Sequence, residues 1–153
     1  MINKNNGLNL VFSTPIWTFN VDNHSKINED IFKYIKKLKT EDPIGVKKSN
    51  NQGWHSNLFN MHDDEVKKFF QSIQKYLGKA IDDSGWNNPS NNFSVTSAWT
   101  IINVKSSSNS RHIHSNNYIS AAYYVKAPKN CGDIIFYDPR NVRLIRKPKT
   151  NTG

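Results

Sequence analysis

Apolar residues recur along this chain with two different periods, and the change of period divides it. Ile27, Ile31, Ile35 and Leu38 are spaced as one face of a helix, with Ser25 or Asn28 available as N-cap. That helix is predicted to stop near Thr40, because Pro43 disfavours helical backbone at Asp42. A second helical stripe runs through Val66, Phe69, Phe70, Ile73, Leu77 and Ile81, capped by Asp63 or Asp64 and closed by Ser84-Gly85. Both stripes read as core-facing. From residue 92 the period falls to two: Phe93, Val95, Ser97, Trp99, Ile101 and Asn103 share one face of a predicted strand. Further strands are predicted over residues 118–126, 133–137 and 142–146, separated by turn-rich segments. Ahead of the helices, residues 8–21 alternate loosely about Pro15 and read as two short strands. The pattern is α+β, in one domain: a helical front over about residues 1–90 and a strand-rich back over about residues 91–153.

The length, 153 residues, suits a single modest core. Hydrophobic content is 36%, low for a globular chain, but the 12% of aromatic residues offsets this with large side chains. No apolar run reaches the roughly 18 residues of a membrane span, and the polar N-terminus lacks the apolar core of a secretion signal. A lone Cys131 cannot form an internal disulfide, so a reducing cytoplasm is the expected location. Its turn setting, with no histidine nearby in sequence, gives little support to a nucleophilic role.

The net charge of +9 comes from 21 Lys and Arg against 12 Asp and Glu. The lysines at 33, 36, 37 and 39 fit a solvated helix face, and a denser basic group follows at Arg140, Arg143, Arg146, Lys147 and Lys149. No zinc-knuckle spacing, glycine-rich phosphate loop or RNA-recognition signature accompanies them, which leaves nucleic acid a minor hypothesis.

The segment with most chemistry is Arg111-His112-Ile113-His114. In extended backbone residues i and i+2 share a face, so His112 and His114 converge as two imidazoles able to hold a divalent transition metal. On its own a His-x-His is more often a pair of surface histidines. Arg111 and Asn116 read equally well as outer partners of such a site or as solvated loop. Trp54, His55 and Trp99 read as pocket walls or, twice as often, as core anchors.

The order of the surrounding motifs changes the weight of the pair. A strand bearing Trp99 and Asn103 leads through a Ser/Asn loop to His112-Ile113-His114. Ser120-Ala121-Ala122-Tyr123-Tyr124 follows, and then Gly132-Asp133-Ile134-Ile135-Phe136-Tyr137-Asp138-Pro139-Arg140. This series resembles the double-stranded β-helix core of a 2-oxoglutarate- and Fe(II)-dependent oxygenase family, most closely over about residues 97–140. Gly53-Trp54-His55-Ser56-Asn57 is similar to a short upstream motif of the same family. The resemblance implies N-terminal helices packed on a jelly-roll core, with Fe(II) and 2-oxoglutarate as cofactors. It also implies His112 and His114 as metal ligands, and Tyr123, Tyr124 and Arg140 as contacts to the oxoacid. The activity implied is hydroxylation of a small-molecule or protein substrate that the residues do not identify.

Two departures accompany it. His114 stands where the family carries a carboxylate, which lowers the negative charge of the site. No histidine follows His114, and neither Arg143 nor Arg146 corresponds to the family's late arginine. The expectation is therefore a C-terminally truncated relative with an incomplete jelly roll, and His24, His55, His62 and Asp138 are the residues left as candidates for a third ligand. An incomplete barrel would expose sheet edges and favour a homo-oligomer. Three readings stay open: an oxygenase, a non-catalytic module on the same scaffold binding an acidic partner, and a cupin-like protein using another metal.

Overall fold

The computed structural model of the chain describes residues 13–138. Two helices carry the architecture. α1 spans His24–Glu41 and α2 spans Asp64–Asp83. α1 starts ahead of both expected caps: Asn23 occupies the cap position in left-handed backbone, and its carbonyl receives the amides of Lys26 and Ile27. The helix ends at Glu41 with Asp42 as its C-cap, directly before Pro43, and the Asp42 amide donates to Leu38.

Asp63 is the N-cap of α2, and Asp64 and Glu65 place negative charge in its first turn, where the helix dipole favours it. The Asp63 carboxylate makes no capping bond. It accepts instead from the Tyr34 hydroxyl at 2.8 Å and the Asn60 amide at 2.7 Å, tying the start of α2 to the middle of α1. At the far end Gly85 turns left-handed, its amide donates to Asp82 and that of Trp86 to Ile81. This paired closure is a Schellman motif, and it explains why the helix ends where Ser84-Gly85 predicts.

Ile31, Tyr34 and Ile35 from α1 meet Val66 from α2, with Phe59 between the helices and Ala98, Ile102 and Val125 packed on the group from the back half. Ahead of α1, Trp17, Phe19 and Val21 are half-buried, while Ile16, Thr18 and Asn20 face solvent. Phe19 lies on Tyr76, and the Trp17 indole donates to Asp83, so this segment straps along α2.

The expected strands are mostly absent as ladders. Four two-residue strands occur among the described residues: β1 (Asn50–Asn51), β2 (Trp54–His55), β3 (Ile101–Ile102) and β4 (Ser108–Asn109). They form two antiparallel pairs, β1 with β4 and β2 with β3. The predicted strand at residues 93–103 pairs only through β3. Residues 13–21, 118–126 and 133–137 form no ladder among the described residues, and the predicted strand at 142–146 lies outside them. The architecture is mixed α and β with small antiparallel sheets. Among the described residues no helix is long and apolar enough to cross a membrane.

Candidate metal site

The pairing of β2 with β3 brings the two halves of the chain together. Trp54 lies opposite Ile102 and His55 opposite Ile101. The contact continues past the ladder, where the Ser56 amide donates to Thr100 and the Phe59 amide to Ala98. His55 and Trp99 therefore share a face, as diagonal neighbours on adjacent strands. Their rings stack at 5.8 Å, 13° from parallel, and the His114 imidazole packs on the same indole at 5.3 Å.

The loop before the histidine pair is fixed by β1. Asn50 and Asn51 pair with Asn109 and Ser108, and the Ser110 amide donates to the Ser49 carbonyl. The Ser110 carbonyl in turn accepts from Nδ1 of His112 at 2.6 Å. A carbonyl only accepts, so the proton of His112 is on Nδ1 and its Nε2 presents a lone pair. That lone pair accepts from Nε2–H of His114 at 3.0 Å, so His114 has to move this proton to Nδ1 before both nitrogens can face a cation. Such backbone anchoring of the remote ring nitrogen is how ligating histidines are oriented.

The separation fits a shared cation. Two nitrogens at adjacent octahedral positions, each about 2.1 Å from a divalent ion, lie about 3.0 Å apart, against roughly 3.4 Å for a tetrahedral pair. The donor set stops at two, however. Among the described residues no three His, Cys, Asp or Glu side chains converge as a cation cage. His55 is buried, with Nδ1 donating to the Ser56 carbonyl at 2.7 Å. His24 bonds the Val21 carbonyl at the start of α1, and His62 sits in the turn before α2. None of the residues considered for a third ligand, His24, His55, His62 and Asp138, forms such a group with the pair.

The oxoacid contacts do not gather in the same way. Tyr123 points inward: its hydroxyl donates to Asn28 of α1 at 2.7 Å and its ring meets Phe69 edge-on at 5.0 Å. Burial pushes its pKa up. Tyr124 faces out, 57% exposed. Arg140 lies outside the described residues, as do Arg143 and Arg146. The described residues therefore do not form a carboxylate clamp for 2-oxoglutarate. Arg111 covers the Tyr137 ring at 4.7 Å, a cation–π contact rather than a bond to either histidine. Cys131 is an exposed free thiol in a turn.

The contribution of Ser110 and Ser49 escapes the sequence, because a backbone carbonyl's direction follows from β1–β4 pairing across 59 residues of chain. The role of Trp99 is partly legible, since the residue stands out as a large aromatic on the strand before the loop.

Residues 97–153 match the family model described as "Putative 2OG-Fe(II) oxygenase". That stretch holds Trp99, the histidine pair, Tyr123, Tyr124 and Arg140, and it leaves the Gly53-Trp54-His55 motif outside. No curated protein and no solved structure matches the chain significantly.

Proposed function

We propose that this chain carries the early, histidine-bearing part of a 2-oxoglutarate- and Fe(II)-dependent oxygenase, with His112 and His114 as ligands to a divalent metal. The observation that carries the reading is the pair of Nε2 atoms 3.0 Å apart, within the stretch that matches the oxygenase family model. Residues 1–153 are read as one domain, helices in front and the beginning of a jelly-roll core behind.

The chain's own residues have distinct tasks in this scheme. Ser110 holds His112 in the tautomer whose lone pair faces the ion. Trp99 braces the ring of His114, and His55 supports the indole. When bound, Fe(II) together with 2-oxoglutarate would supply the oxidising power for hydroxylation. Tyr123, Tyr124 and Arg140 are the oxoacid contacts that the family implies, and Tyr123 would have to release Asn28 to serve. The substrate is a small molecule or a protein side chain. The exposed thiol of Cys131 suits a reducing compartment such as the cytoplasm.

Anaerobic titration of the chain with Fe(II), with and without 2-oxoglutarate, tests this directly. A weak visible charge-transfer band that requires both components, and that is lost in His112→Ala, is the expected result. Absence of iron binding would overturn the reading.

A second reading is favoured by a separate observation. Lys36 and Lys126 both lie over the Phe32 ring, and Ile134, Ile135 and Phe136 are each more than half exposed. A non-catalytic module presenting such basic and apolar side chains to an acidic partner would be indifferent to His112→Ala. Its affinity for a polyanion would fall steeply with salt.

A further inference from the structure

Every His, Cys, Asp and Glu of the 153-residue sequence lies between residues 13 and 138; residues 1–12 and 139–153 contain none. The described residues thus hold every imidazole, thiolate and side-chain carboxylate of this sequence, and no three of them converge. Within these 153 residues of one copy, the pair's remaining coordination positions have no further donor from such side chains. Both imidazoles are exposed, and Ile113 at the tip between them is 86% exposed, so the pair is presented outward rather than into a cleft.

From this arrangement we infer that the site is completed by a second copy of the chain: two His112–His114 pairs, one from each protomer, hold a single divalent ion on a two-fold axis. The inference rests on the metal-binding reading above. A two-fold interface presents one patch to itself, so two donors per protomer become four around an ion on the axis. The 3.0 Å bite leaves each pair on adjacent positions and the opposite positions open to the partner's pair. The surroundings suit close approach. Ile113, between the two histidines, is 86% exposed, and Tyr137, over half exposed, is held against Arg111, the residue before His112. Burial of such apolar surface adds to the metal–nitrogen bonds.

The charge of +9 gives the inference a signature of its own. Two copies repel one another, and salt screens that repulsion, so moderate salt should strengthen the dimer. Binding of an acidic partner would respond in the opposite sense.

The test is the mass of the full 153-residue chain in Co(II) and in EDTA, by light scattering on a sizing column, with bound cobalt measured in each peak. The expected result is twice the 17.6 kDa chain mass in Co(II), one cobalt per two chains, and a monomer in EDTA. His112→Ala and His114→Ala should abolish the cobalt-dependent dimer, while His24→Ala and His62→Ala should not. Ile113→Lys, which keeps both ligands but places like charges at the axis, should weaken the dimer. A monomer that binds one cobalt per chain would overturn the shared site and leave the metal-binding reading standing. A dimer that persists unchanged in EDTA would also overturn it. No cobalt binding at all would remove both.

Discussion

Gly45 packs flat against the backbone carbonyl of His55: a β-carbon there would overlap that oxygen and press on the Trp54 indole. Gly45 is also left-handed, with φ +67°, and the next amide, Val46, donates to the same carbonyl at 2.9 Å. Gly53 is tight for a different reason, since its β-carbon would meet the side-chain amide of Asn103. That amide ends an exposed side chain and can swing away. Gly45→Ala should therefore cost about 2 to 4 kcal/mol in urea unfolding, from overlap plus backbone strain. Gly53→Ala should cost less than about 1.5 kcal/mol. Equal losses would contradict the packing described around the β2–β3 pair.

Gly78 behaves in the opposite way. It lies inside α2 in ordinary helical backbone, and a β-carbon added there would meet nothing within 4 Å. Gly78→Ala should raise stability by roughly 0.5 to 1 kcal/mol, through the lower entropy of the unfolded chain. A loss of stability would mean that this face of α2 is covered by something else.

Tyr34 provides a pH test. Burial and the Asp63 carboxylate push its pKa from 10.0 up to about 12. The unfolded chain then ionises this phenol first, so the stability it contributes is complete below about pH 10 and is lost as pH rises towards 12. Lysine titration adds its own slope in the same range. The expected outcome is that Tyr34→Phe, less stable at neutral pH, loses less stability than the parent between pH 10 and about 12. Parallel curves would mean that Tyr34 is not held neutral in the fold.

Tyr123 separates packing from ligand binding. With its hydroxyl on Asn28, Tyr123→Phe should lower stability by about 0.5 to 1.5 kcal/mol, and a role in packing alone predicts an unchanged Fe(II) and 2-oxoglutarate titration. A fall in oxoacid affinity at unchanged stability would assign the hydroxyl to the ligand.

Helices are legible in the sequence because their signals are local. The spacing of Ile27, Ile31 and Ile35, the stop at Pro43 and the glycine at 85 each act within a few residues. Even so, α1 begins at His24 without a side-chain cap, although Ser25 and Asn28 are the better capping residues by chemistry. Alternation puts Tyr123 and Tyr124 on opposite faces, but it does not say which of them is inward, and it does not choose a hydrogen-bonding partner. The pairing of Trp54-His55 with Ile101-Ile102 joins segments with a whole helix between them, and no turn residue announces it. At the site, the convergence of His112 and His114 follows from their i, i+2 spacing. The anchoring of His112 by Ser110 does not, because it depends on β1–β4 pairing.

The buried apolar side chains among the described residues all fall between Ile31 and Ala80. The most deeply buried apolar side chains thus all precede the histidine loop in the chain. On the proposed reading, substitutions in the histidine loop would alter metal binding while leaving these buried side chains in place. If the proposed chemistry were lost from that loop, the buried framework would still be there to fold.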